Sequence, residues 1–166
     1  MNRSVSLLSG LVLLVAMEGC VPASSRRSAR LEGQYLLDAP GSGWAPVAPG
    51  GADHAWYNND LKSSIYTDSN CGNRYTEARI EDLSTELTAG FRNLKTTREE
   101  YRQIADREGL LRVYEGTLDG VSVRMGIAVV NKNACNYDFA YISSPGNFDA
   151  GWPAFEAVLS SFREKS

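Results

Sequence analysis

The chain has 166 residues, enough for one domain with a substantial core and too few for two ordinary domains plus linkers. Hydrophobic residues make up 43% and charged residues 22%, which excludes a disordered, collagen-like or polytopic membrane chain. Seventeen Lys and Arg against twenty Asp and Glu leave a formal charge of -3, and the basic residues are dispersed, so no cationic surface is offered to a nucleic acid.

Arg3 and the amino terminus make a positive start, and Val5 to Ala16 (VSLLSGLVLLVA) is an apolar run of 12 residues. That is short for a helix crossing a bilayer and reads as a secretory signal. The run leads into Met17-Glu18-Gly19-Cys20, and a small residue directly before a cysteine at this distance resembles the lipobox of bacterial lipoproteins. The resemblance implies a lipidated Cys20 thiol, cleavage of residues 1–19 as signal peptide, and acylation of the new amine. The chain would then be held at a membrane of the cell envelope by its N-terminal lipid. The other reading is a conventional cut after Ala23, in Val21-Pro22-Ala23, which yields a soluble exported protein. Residues 20–30 have no apolar periodicity and read as a tether, leaving a single domain over 31–166.

Setting Cys20 aside leaves Cys71 and Cys135, an even pair. In an exported chain such a pair forms a disulfide, here a long-range one. A metal site or redox pair is the alternative, but neither cysteine has a CxxC neighbour or a nearby His.

Along the domain, Gln34 to Asp38 reads as a short strand, followed by a Pro/Gly-rich loop carrying Trp44. His54 to Tyr57 and Lys62 to Asp68 read as strands of a hairpin with its bend at Asn58-Asn59-Asp60. From Thr76, Ile80, Leu83, Leu87, Phe91 and Leu94 recur at spacings of 3, 4, 4 and 3, which predicts one long amphipathic helix with Glu77, Arg79, Glu81, Asp82 and Glu86 on its solvated face. Arg98 to Ile104 and Leu110 to Thr117 read as strands, and Leu118-Asp119-Gly120 as a hairpin turn. Val121, Val123, Met125, Ile127 and Val129 then alternate with smaller or polar residues, predicting a long half-buried strand. After a turn at Asn131-Lys132-Asn133, Cys135 to Ile142 reads as its antiparallel partner. Phe155, Val158, Leu159 and Phe162 repeat at helical spacing behind Pro153, which suits a first helical turn, so a C-terminal helix closes the domain.

Two main amphipathic helices and an antiparallel meander make an α+β fold, an antiparallel sheet covered by helices in an α/β/α-type sandwich. This element order, the Trp44 loop behind an N-terminal strand, and the ending GNFDAGWPAFEAVLSSFR resemble the PsbP/Mog1/DcrB-like group of small sandwich domains. In that group a closing helix ending in Ser-Phe packs on the sheet, a role that falls to Ser161-Phe162. Its members serve as photosystem accessory proteins, small-GTPase partners and exported lipoproteins. The resemblance therefore implies an accessory or protein-binding role, with no catalytic residues and no cofactor to carry over.

Direct signals for chemistry are few. His54 is the single histidine, both domain cysteines are assigned to a bridge, and no GxSxG elbow appears, so a nucleophile triad is not expected. Asp68-Ser69-Asn70-Cys71-Gly72-Asn73 lacks the glycine at the sixth position and the acid at the twelfth that a calcium loop requires, so no metal is expected. Candidate binding residues are Trp44, His54, Trp56 and Tyr57, with Asp53 and Tyr66 nearby, since Trp and Tyr favour binding surfaces. Two functions follow as expectations. The first is a membrane-anchored envelope lipoprotein that binds a protein partner without catalysis; the alternative is an envelope enzyme or small-ligand binder with a pocket near His54.

Overall fold

The computed structural model describes residues 35–71 and 78–165. The signal segment 1–19, Cys20 and the tether 20–30 lie outside the described residues, as do the first residues of the domain up to Gln34. The strands are β1 (Tyr35–Leu36), β2 (Trp44–Pro46), β3 (His54–Asn58), β4 (Ser63–Cys71), β5 (Phe91–Ile104), β6 (Arg107–Leu118), β7 (Val121–Lys132), β8 (Cys135–Ser143) and β9 (Arg163–Glu164). Helix α1 (Ile80–Glu86) lies between β4 and β5, and α2 (Phe148–Ser161) between β8 and β9. β2 to β8 form one seven-stranded antiparallel sheet in the order β2-β3-β4-β8-β7-β6-β5, and β1 pairs with β9 apart from it.

β5 to β8 are a meander closed by three two-residue loops, Ala105-Asp106, Asp119-Gly120 and Asn133-Ala134, all with positive φ. Positive φ at both loop residues matches the right-handed twist of paired strands, and Gly120 adopts it without steric cost. Residues 125–130 of β7 are buried on both faces, because β7 lies inside the sheet with one helix over each side; the expected half-buried strand is fully covered at its centre.

The long central helix predicted from Thr76 to Leu94 is cut to Ile80–Glu86, with Thr76 itself outside the described residues. Ile80, Leu83 and Leu87 do pack on the sheet, as their spacing requires. The helix ends at a Thr88-Ala89-Gly90 turn in which Gly90 takes φ +91 and the Phe91 amide donates to the Thr88 carbonyl. Phe91 and Leu94 continue the helical spacing by coincidence and belong to β5, which starts 13 residues before the end of that element at Ile104. At the C-terminal helix the first turn begins at Phe148, so Pro153 sits inside the helix, exposed, rather than at its start.

α2 covers one face of the sheet. Phe155, Val158 and Leu159 pack there with Leu111, Val113, Ala128, Phe139 and Tyr141. Phe162 follows the helix and inserts among Tyr35, Tyr137 and Phe139 at ring separations of 5.9, 4.8 and 5.2 Å, as the Ser161-Phe162 ending implied. Two glycines let the layers approach: a Cβ on Gly126 would lie 2.5 Å from the Trp152 ring, and one on Gly151 would lie 2.3 Å from the Tyr141 hydroxyl. That hydroxyl donates to the Phe148 carbonyl at 3.0 Å, pinning the first turn of α2 to β8. α1 covers the other face with Leu83, over Tyr114, Met125, Ile127 and Val129. Helices on both sides of one antiparallel sheet give the α+β sandwich.

Cys71 and Cys135 face each other across β4 and β8 and are joined by a disulfide. Two stability measurements follow. Gly151→Ala should cost about 1–3 kcal/mol in chemical denaturation, because the added methyl must displace either α2 or Tyr141. The Cys71→Ser/Cys135→Ser double variant should lose about 4 kcal/mol, the chain-entropy value for a loop of this size; peptide mapping without reductant should find the two cysteines linked.

Candidate functional site

The four residues singled out for binding are divided by strand alternation. Trp44, His54 and Trp56 lie on the α2 face, and Tyr57 points to the opposite face beside the row holding Tyr66. Trp56 is buried in the core, stacked on His54 at 5.7 Å, and Trp44 packs edge-on against Tyr141 at 6.3 Å. His54 in turn meets the edge of the Tyr35 ring at 5.6 Å. Asp53 is engaged on one oxygen, its Oδ2 accepting from the Tyr35 hydroxyl at 2.9 Å and from Ser69 Oγ at 2.6 Å. Small hollows of about 130 and 190 Å³ flank His54. Tyr35 and Trp56 belong to the core, Trp44 packs against it, and His54 lines both hollows.

A larger hollow of about 290 Å³ opens on the other face, beside the C-terminal end of α1. Leu87, Phe91, Leu118, Met125, Ala140 and Ile142 wall it, and Tyr66, Asp68 and Asp138 line its polar side. Its position follows from the shortness of α1, which covers only part of that face. α1 is held from three strands. The Asn131 amide donates to the Ala78 carbonyl at 3.0 Å, Arg112 Nη1 to the Glu81 carbonyl at 3.0 Å, and the Tyr101 hydroxyl to Glu81 Oε1 at 2.7 Å.

At the polar side, Asp68 on β4 stands directly opposite Asp138 on β8. One row nearer the disulfide, Asn70, Asn136 and Asn131 line up across β4, β8 and β7. The Asn136 amide donates to Asp138 Oδ1 at 2.7 Å and the Asn70 amide to Asp68 Oδ2 at 3.3 Å. The Oδ1 atoms of all three asparagines are buried without a hydrogen-bond partner among the described residues. Asp138 is 8% exposed. Burial, reinforced by the Asp68 and Glu86 carboxylates and opposed by the Asn136 hydrogen bond, pushes its carboxyl up to about 7. A carboxyl of that kind binds or releases a proton near neutral pH beside an apolar wall. Neither aspartate is among the sequence's candidate binding residues, although Asp138 is the one charged residue of β8, between Tyr137 and Phe139.

No family model and no curated protein matches the chain. Solved structures match it in fold. Cyanobacterial PsbP (CyanoP) from Synechocystis superposes with a TM-score of 0.54 at 14% identity, over 80% of this chain and 94% of that one. The fold is similar to that of PsbP. LpqN, involved in cell envelope biogenesis of Mycobacterium tuberculosis, matches at TM-score 0.54 and 8% identity over 80% of this chain and 83% of its own. A Pseudomonas aeruginosa protein of unknown function matches at 0.50 and 12%, covering 80% and 82%. At these identities the likeness is one of fold, and it passes on no site residue.

Because the folded state of the sandwich holds a proton on Asp138 that the unfolded chain releases near pH 4, this group lowers stability as pH rises from about 4 to about 7. The slope is about 1.4 kcal/mol per pH unit within that window. Asp138→Asn removes the effect: its melting temperature relative to the wild type should rise between pH 5 and pH 8, read by circular dichroism. A constant difference across that range would contradict the buried carboxyl described above.

Proposed function

We propose that the protein is an exported lipoprotein of a bacterial cell envelope, held by lipid on Cys20, whose sandwich domain binds a partner and performs no catalysis. The observation that carries this reading is the Cys71–Cys135 disulfide, because such bonds form and persist in oxidising compartments outside the cytoplasm. It takes up both domain cysteines and leaves Cys20, behind an apolar run and Gly19, as the remaining thiol. The Mycobacterium tuberculosis protein of the same fold is involved in cell envelope biogenesis, which agrees with an envelope address here. A mostly apolar groove supports binding. One observation favours a second reading, a receptor for a small ligand: Asp138 is a buried carboxyl lining that groove.

Intact mass of the protein from membranes should start at Cys20 and include acyl chains, and Cys20→Ser should move a folded protein out of the membrane fraction. A soluble product beginning at Ser24 would overturn the anchor. His54→Ala should leave membrane localisation and partner capture by the sandwich unchanged; loss of capture in a folded, localised variant would return the site to His54.

A further inference from the structure

The groove beside α1 has a chemical polarity that selects among ligands. Its space of about 290 Å³ holds about ten groups of methylene size. Phe91, Leu118, Met125 and Ile142 give one end a hydrocarbon lining. At the other end Asp138 is more than nine-tenths buried, and its described hydrogen bond, from Asn136, occupies Oδ1 alone. Among the described residues the charged groups facing Asp138 are acids, Asp68 from β4 and Glu86 from α1, while β7 sets the apolar Val129 opposite it. No Lys, Arg or His lines the groove among the described residues. An uncharged ligand would leave Asp138 protonated and an anionic one would be repelled by its ionised form, whereas a cation gains from ionising it.

We infer that this groove binds a small primary amine bearing a short apolar chain, with its ammonium group against Asp138 and its chain along Phe91, Leu118, Met125 and Ile142. The site deepens the small-ligand reading and is independent of the lipid anchor. An ammonium offers three donors and a full positive charge. It favours the ionised carboxylate, so binding expels the proton that Asp138 holds near neutrality and weakens as pH falls.

The test uses the full-length chain in detergent, titrated calorimetrically with n-hexylammonium, n-hexanol and hexanoate. Ala89→Trp, at an exposed position on the groove wall, fills the site without touching Asp138 and measures partitioning into micelles. The expected result is saturable binding of n-hexylammonium at pH 8, about tenfold weaker at pH 6 where Asp138 is mostly protonated, and absent in Ala89→Trp. Asp138→Asn should bind at least tenfold more weakly at pH 8 while melting cooperatively; if that variant fails to fold, Ala89→Trp and the headgroup series decide. Saturable binding of all three probes with equal affinity would overturn the amine and keep the small-ligand reading. No saturable binding of any probe, or binding unchanged in Ala89→Trp, would overturn both.

Discussion

Within the seven-stranded sheet, every pairing except one joins strands that follow each other in the chain. The exception is β4 with β8, which holds the N-terminal strands to the meander and carries the disulfide. Hairpin pairings close short loops, whereas this one must close a loop of 64 residues, with the larger entropic cost that separation brings. The covalent link constrains the unfolded chain at the point where the folded chain is hardest to assemble. It also fixes register. Three residues back from Cys71 and three forward from Cys135 stand Asp68 and Asp138, so the bond that joins the two halves also sets the two carboxyls side by side.

The two faces of the sheet differ in how completely they are sealed. α2 spans 14 residues and meets the sheet through aromatic rings, with Gly126 and Gly151 removing the side chains that would hold the layers apart. α1 has seven residues and buries Leu83 and Ser84. A helix of that size cannot cover a seven-stranded face, so the sheet beyond its C-terminal end is left as a groove. Shape and electrostatics coincide there, since the partial cover leaves Asp138 dry enough to resist ionisation and open enough to line a hollow.

Much of this fold could be read from the sequence. The alternation in β7 and β8, the bend between β3 and β4, and the spacing of Phe155, Val158, Leu159 and Phe162 each reported a burial pattern that tertiary packing reinforced. Only the first part of β5, before Arg98, escaped, because Phe91 and Leu94 extend the helical spacing past Gly90, and the glycine, a residue suited to left-handed geometry at a helix end, was the signal against that extension. The aromatic group lost Tyr57 for a similar reason: Trp56 and Tyr57 are neighbours in sequence, and neighbours on a strand face opposite ways, whereas Trp44, His54 and Trp56 share a face. The acidic pair required register, which periodicity does not supply. The cysteines supplied it once bonded, since opposite positions on antiparallel strands run in opposite senses from a shared point.

The two edges of the sheet limit how another protein can reach it. β5 is long, but its pairing is interrupted between Arg92 and Lys95 and again between Thr96 and Arg98, Asn93 takes φ +54, and arginine, lysine and glutamate crowd its length. β2 at the opposite edge has three residues and ends in Pro46, which has no amide hydrogen to offer. An incoming strand therefore finds a bent, charged ladder on one side and a truncated one on the other. Strand addition is disfavoured at β2 and along the irregular first part of β5, while residues 98–104 keep a regular edge whose side chains are largely charged. A protein that approached a face would meet side chains rather than backbone, and recognition there would be written in shape and charge instead of in main-chain hydrogen bonds.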